Sequence, residues 1–179
     1  MPCIYLMPAG GVGASVLEAV APAVARTFLL DVQIGPRLAD IGFAYDGVRS
    51  QYHVSKLLLE LIKNPPPDAA KILGVADVDL FLPIFTFVFG QAQLNGLGAI
   101  FSAHRLRHEF YGLPPEPVVF AERLRKEAVH ELGHAFGLVH CLDPACVMRS
   151  STYVEDVDFK GLEFCYTCRR QLNERLKSR

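Results

Sequence analysis

The sequence predicts a single α/β domain, and three observations predict it. Strand and helix patterns alternate through the first half of the 179-residue chain. A long amphipathic helix then starts at Val118. After Gly137 the periodicity fades until a short final helix around Cys165 to Leu176. A chain of this length can enclose one sizeable core. With 51% hydrophobic and 21% charged residues it has a globular composition rather than a disordered one. The formal net charge of −1 supplies no global field for nucleic acid or an anionic membrane.

CIYLMP reads as a buried first strand, and GGVGAS as a turn in which Ser15 is expected to cap the next helix. Leu17, Val20, Val24 and Phe28 recur at helical spacing, so Val16 to Phe28 is a helix. FLLDVQIG is a second strand. The stretch Asp46 to Asn64 holds a second helical pattern, YHVSKLLLELIKN, stopped by Pro65, Pro66 and Pro67. KILGVADVDLFLPIF supplies an aliphatic strand. FVFGQAQLNGLGAIFSAHRL reads as two strands joined through Asn95-Gly96, and YGLPPEP as a loop.

The N-terminus lacks the basic region of an export signal, its first basic residue being Arg26. The most apolar internal run, Leu80 to Gly90, is too short to span a bilayer and contains Pro83. The expected compartment is therefore the cytoplasm, where thiols stay reduced. Cys3 is expected to be a buried strand residue. The other four cysteines crowd together as Cys141, Cys146, Cys165 and Cys168, which in a reducing compartment suggests metal before disulfides.

The chemistry concentrates in HELGHAFGLVH, residues 130–140. His130 and His134 are four apart, about 40° apart on one helix face, and can share one metal ion. Glu131 can reach a water at that metal without ligating it. Gly137 stands where the helix must stop and the chain turn back, because glycine tolerates positive φ. The reversal lets His140 approach as a third ligand. Three protein ligands with one open position are the set of a catalytic zinc. Five fixed positions, at about one in twenty each, give roughly one chance match in three million windows. Behind the ligands, Ala121, Leu124, Ala128, Leu132 and Ala135 form a core stripe. Glu122 with Lys126, and Arg123 with Glu127, are expected to pair on the outer face.

Cys141-x4-Cys146 and Cys165-x2-Cys168 supply four thiolates in two close pairs, which suit a closed, structural zinc; buried free thiols, or disulfides in an exported protein, are the alternative. Cys165 and Cys168 fall at the start of the final helix, where the dipole favours thiolate. Cys168, Leu172 and Leu176 share one face. Because Cys141 directly follows His140, a metal in the cysteine site would brace the segment that delivers the third histidine. Met148, read alone, is ordinary core filling.

With these residues in place the chain resembles the archaemetzincins, a family of metzincin zinc peptidases. The resemblance rests on HELGHAFGLVH, on a cysteine directly after the third histidine, on C-x4-C-x-M and on the later C-x-x-C. LGVADVDLFLP…FVFGQAQLNG…FSAHRL extends it over most of the chain. Sixteen residues separate Met148 from Cys165, one fewer than in the family pattern. The resemblance implies a metzincin-like compact catalytic domain, 1–179. Residues 1–136 would form an upper subdomain with a twisted mixed sheet and the zinc helix. Residues 137–179 would form a small irregular lower subdomain with the methionine turn at Met148, the four-cysteine site and the last helix.

The resemblance further implies two zinc ions and a peptide substrate, with aminopeptidase-like activity on short peptides and Glu131 as the catalytic base. An edge strand within Phe87 to Leu94 would run antiparallel to bound peptide. Many metzincins carry a tyrosine two residues after the methionine; here that position is Ser150, with Tyr153 nearby. A monomer is expected, with no nucleic-acid or membrane partner. The tail RRQLNERLKSR is basic but lacks the interleaved aromatics of a single-strand binder. A zinc-binding interaction module of peptidase ancestry without turnover is the alternative function.

Overall fold

The computed structural model describes residues 1–177. Its main sheet takes β1 (Cys3–Ala9), β2 (Asp31–Ile34), β5 (Ala69–Ala76), β7 (Gly90–Ala92) and β8 (Gly98–Ser102), in the order β2-β1-β5-β8-β7. All neighbours pair in parallel except β7 with β8, whose register sets Gln91 against Ile100. A small second sheet joins β3 (Tyr45–Asp46), β4 (Gln51–His53) and β6 (Leu80–Phe81) in the order β3-β4-β6.

The strand sequences dictate two layers of core. Successive side chains face opposite ways. Ile4, Leu6, Leu73, Val75, Ala99 and Phe101 therefore share one core with α1 (Ala14–Phe28) and α3 (Pro117–Ala135). Met7, Ala9, Ile72, Ala76 and Ile100 share another with α2 (Val54–Leu61). Central strands covered on both faces read as unbroken apolar runs, as parallel strands do.

Several expectations change in detail. Ser15 does not cap α1: the N-cap is Gly13, and no side chain bonds there. The second helix begins only at Val54, because Gln51–His53 is held as a strand between β3 and β6. The run from Lys71 divides between both sheets, breaking after Ala76 where Ser102 Oγ binds the backbone of Val78. The hairpin expected at Asn95-Gly96 forms, with Asn95 in the left-handed region at φ 55°.

Beyond Gly137 the chain is less irregular than its sequence suggests. It forms α4 (Val154–Phe159) and α5 (Tyr166–Lys177), and it puts Val147, Met148, Val157, Phe164 and Leu172 into the same core as α1 and α3. Phe28 stacks on Phe136 at 4.8 Å and meets Phe164 edge-on at 6.0 Å, joining the first helix, the end of α3 and the last segment. In the basic tail, Arg169 is turned inward, donating to Thr27 O at 2.8 Å; Ser178 and Arg179 lie outside the described residues. Among the described residues, no helix is long and apolar enough to cross a membrane.

Candidate metal centre and cleft

α3 starts with Pro117 at its first turn, where a missing N–H costs nothing. It ends in a Schellman motif. Gly137, at φ 93°, donates its N–H to His134 O, and Leu138 donates to Gly133 O. The reversal returns His140 to the helix: one nitrogen each of His130, His134 and His140 lie within 4.8 Å of one another. His130 Nδ1 bonds Val147 O and His134 Nδ1 bonds Leu138 O, both at 2.8 Å. A carbonyl can only accept, so each Nδ1 carries the proton and each Nε2 keeps its lone pair. The two Nε2 atoms face each other at 3.2 Å. Lone pairs aimed at one point, with rings locked by backbone carbonyls, are the donor set of a cation site. Burial pushes all three imidazoles below their ordinary pKa, His130 furthest, with Lys160 and His134 adding to its shift. The rings therefore stay neutral, as ligands must be.

Glu131 is buried, and its carboxylate lies against the edge strand: a Cβ on Gly90 would come within 2.6 Å of Glu131 Oε1. Only a glycine lets β7 pass this close to the carboxylate. Burial, and then the neighbouring Glu127, raises its pKa well above the carboxylate range. A divalent cation beside it would act in the opposite direction.

These groups open on one cleft of about 370 Å³. One wall is the backbone and rings from Phe85 to Ala92, ending in β7, whose outer edge has no strand beside it among the described residues. The other wall is Ser150 to Tyr153. Tyr153 thus reaches the cleft, which no sequence spacing indicated.

Met148 is fully buried, and its Sδ presses on the α3 backbone at Gly133, between the two helix histidines, so closely that a Cβ there would collide with it. The sulfurs of Cys141, Cys146, Cys165 and Cys168 also lie within 4.8 Å of one another, and none forms a disulfide. The N–H of Cys168 lowers the pKa of Cys165, while burial raises those of Cys146 and Cys168. Four cysteine sulfurs this close together suit a closed tetrahedral ion. Cys3 sits apart, buried on β1 with its thiol toward Asp68.

The outer face of α3 is where sequence reasoning erred. Glu122 and Lys126 do pair, at 3.4 Å. Arg123, however, makes a two-point bond to Asp158 at 2.7 and 2.6 Å, and Glu127 binds Lys160 at 2.8 Å. The expected solvent face is covered by α4, so Arg123, Lys126 and Glu127 are buried. Neither Lys160 nor the place of Glu127 in the cleft carries a sequence signal, because the partners are 33 positions apart.

Three convergent imidazoles, a carboxyl beside them and a cleft bounded by a free sheet edge define a metallopeptidase-type site on an α/β scaffold. Comparison with known proteins agrees. Peptidase family M54 matches residues 33–174. An archaemetzincin of Methanocaldococcus jannaschii is 37% identical over 172 residues, 96% of this chain and 93% of that one. The crystal structure of an archaemetzincin from Methanopyrus kandleri superposes with a TM-score of 0.85 at 35% identity, over 98% and 96% of the two chains. That of a zinc-dependent peptidase from Methanocorpusculum labreanum gives 0.83 at 33% identity, over 95% and 100%. The chain belongs to peptidase family M54, the archaemetzincins, and is a zinc metallopeptidase.

Proposed function

We propose that the chain hydrolyses short peptides at a zinc ion held by His130, His134 and His140, with Glu131 as general base and acid. The observation that carries this reading is the convergence of three neutral imidazoles, two of them anchored by backbone carbonyls, beside Glu131 on one cleft. Zinc bound there supplies Lewis acidity, lowering the pKa of water and polarising the scissile carbonyl. Glu131 accepts a proton from the attacking water and passes it to the departing amine, from a carboxylate fixed against β7. An extended peptide pairs with the outer edge of β7 and is enclosed on its far side by Ser150 to Tyr153. Met148 is the floor beneath the ligands. Cys141, Cys146, Cys165 and Cys168 hold a second, structural zinc, giving two ions per chain. Residues 1–136 and 137–179 act as upper and lower parts of one catalytic domain.

Substrates are short peptides, with removal of N-terminal residues as the aminopeptidase-like outcome. The alternative, a binding module without turnover, gains no support from an open cleft and a three-nitrogen set that leaves a position free. The test is mass-spectrometric detection of cleavage in a mixed library of short peptides. The zinc-loaded protein is compared with Glu131→Ala at equal zinc content. Cleavage by the wild type and a loss of about 10²–10⁴-fold in the variant are expected. The cut positions decide exo- against endopeptidase. Equal cleavage by both proteins, or by neither with zinc confirmed, overturns the reading.

A further inference from the structure

Lys160 is fully buried, yet it is a cation, and the reaction proposed above does not use it. Its ammonium lies 2.8 Å from Glu127 Oε1 on α3, and 3.5 Å from Arg149 O, in the turn that leads into the cleft wall. It is also 3.5 Å from His130 Nδ1, but that nitrogen already donates to Val147 O, so Lys160 gains no acceptor there. A buried ion pair is a poor stability device, since apolar residues of like volume often do as well or better. The pair therefore calls for a role other than stability.

Its position supplies one. Lys160 closes α4, and α4 directly follows the wall Ser150–Tyr153. The same helix is tied to α3 by the two-point bond from Arg123 to Asp158 and by Lys126 Nζ to Asp158 O at 3.1 Å. Glu127 stands on the cleft, one turn before Glu131, and Oε1 is its enclosed oxygen. One ammonium thus joins a cleft-lining residue of α3 to the turn before the wall.

We infer that Lys160 and Glu127 are positioning residues for the peptide, fixing the wall Ser150–Tyr153 at the distance from α3 and β7 at which an extended chain is held against Glu131. The inference rests on the peptidase reading above. A wall that holds the peptide acts on the ground state and the transition state alike, so its loss appears in KM rather than in kcat.

The experiment is steady-state kinetics on a fixed set of short peptides with the zinc-loaded protein and the double variant Lys160→Met/Glu127→Gln. That variant removes both charges while keeping side-chain length, so no unpaired buried charge remains. Zinc per chain and Tm are recorded for each protein. The expected result is a KM raised about tenfold with kcat within about twofold, at unchanged zinc content. Asp158→Asn, which weakens the second tie of α4 to α3, raises KM in the same direction and serves if the double variant does not fold. A folded, zinc-loaded double variant with the KM of the wild type overturns the inference. If the wild type itself cuts nothing, the peptidase reading fails separately. Affinity of the same peptides for Glu131→Ala, with and without the double substitution, then decides the matter: about tenfold weaker binding is expected, and equal binding overturns the positioning role.

Discussion

At the scale of single residues, the histidine cluster shows how burial sets chemistry. An imidazole in water has a pKa of about 6.5 and competes with zinc for protons as the solution acidifies. Burial lowers all three here, and the carbonyls of Val147 and Leu138 hold the proton of His130 and His134 on Nδ1, away from the centre. The sign follows directly. A depressed folded pKa postpones protonation to lower pH, so the folded site keeps its lone pairs where the unfolded chain has lost them. Three unperturbed imidazoles would lose about fiftyfold in zinc affinity between pH 7.5 and 6.0. The expected loss here is smaller than that fiftyfold, measured by chelator competition at several pH values with residual peptidase activity as the readout. A loss as steep as that of free imidazole would mean that the buried rings titrate like exposed ones.

At the scale of elements, α3 is set by its end as much as by its sequence. The last carbonyls of α3 carry the negative pole of the helix. Lys71, fully buried on β5, donates to Ala135 O at 2.7 Å and to Gly96 O, with its ammonium 4.9 Å from the Phe136 ring centre. Asn95 N–H donates to His134 O at 3.0 Å. One cation and one hairpin therefore fix the turn from which His140 departs. Lys71→Met is expected to cost about 2–3 kcal/mol, since charge-assisted hydrogen bonds are lost and the buried Ala135 carbonyl loses its donor. Thermal or denaturant unfolding of the variant checks this; an unchanged Tm would show that the ammonium contributes nothing net.

The same helix marks the boundary of what the sequence discloses. Its core stripe from Leu124 to Ala135 (Ala121 stays outside the core), its histidine spacing and the stop at Gly137 were legible because each depends on neighbours a few positions away. So were the alternating strands, whose two apolar faces follow from a period of two. Lys71, Lys160 and Asp158 were not. A lysine in an aliphatic strand offers one clue, an unexpected charge, but nothing local names the carbonyls it will meet. Arg123 and Glu127 were misread as a surface pair because i,i+4 spacing permits a bond whether or not a second helix later covers it.

At the scale of the whole molecule, the two candidate metal sites are parts of one structure. Cys141 follows His140 directly, and its N–H donates to Met148 O at 3.0 Å. Cys146 precedes Val147, whose carbonyl anchors His130 and whose N–H donates to Glu163 O at 3.0 Å. Cys165 N–H reaches Cys146 Sγ at 3.3 Å, and Cys168 and Leu172 carry α5 into the shared core. The cysteine module thus places the third histidine and supplies the anchor of the first. Groups that orient metal ligands from outside the coordination sphere typically contribute 10–100-fold in affinity. Cys165→Ser should therefore lower Tm and weaken zinc at the histidine site by about 10–100-fold. The measurement is chelator competition monitored through peptidase activity, together with thermal unfolding and zinc per chain. If the variant loses one zinc yet keeps both the affinity of the histidine site and its Tm, the two sites are independent, and the shared loop transmits nothing. If affinity and Tm fall together, the cysteine site belongs to the catalytic machinery through the one peptide bond between His140 and Cys141 and the carbonyl of Val147.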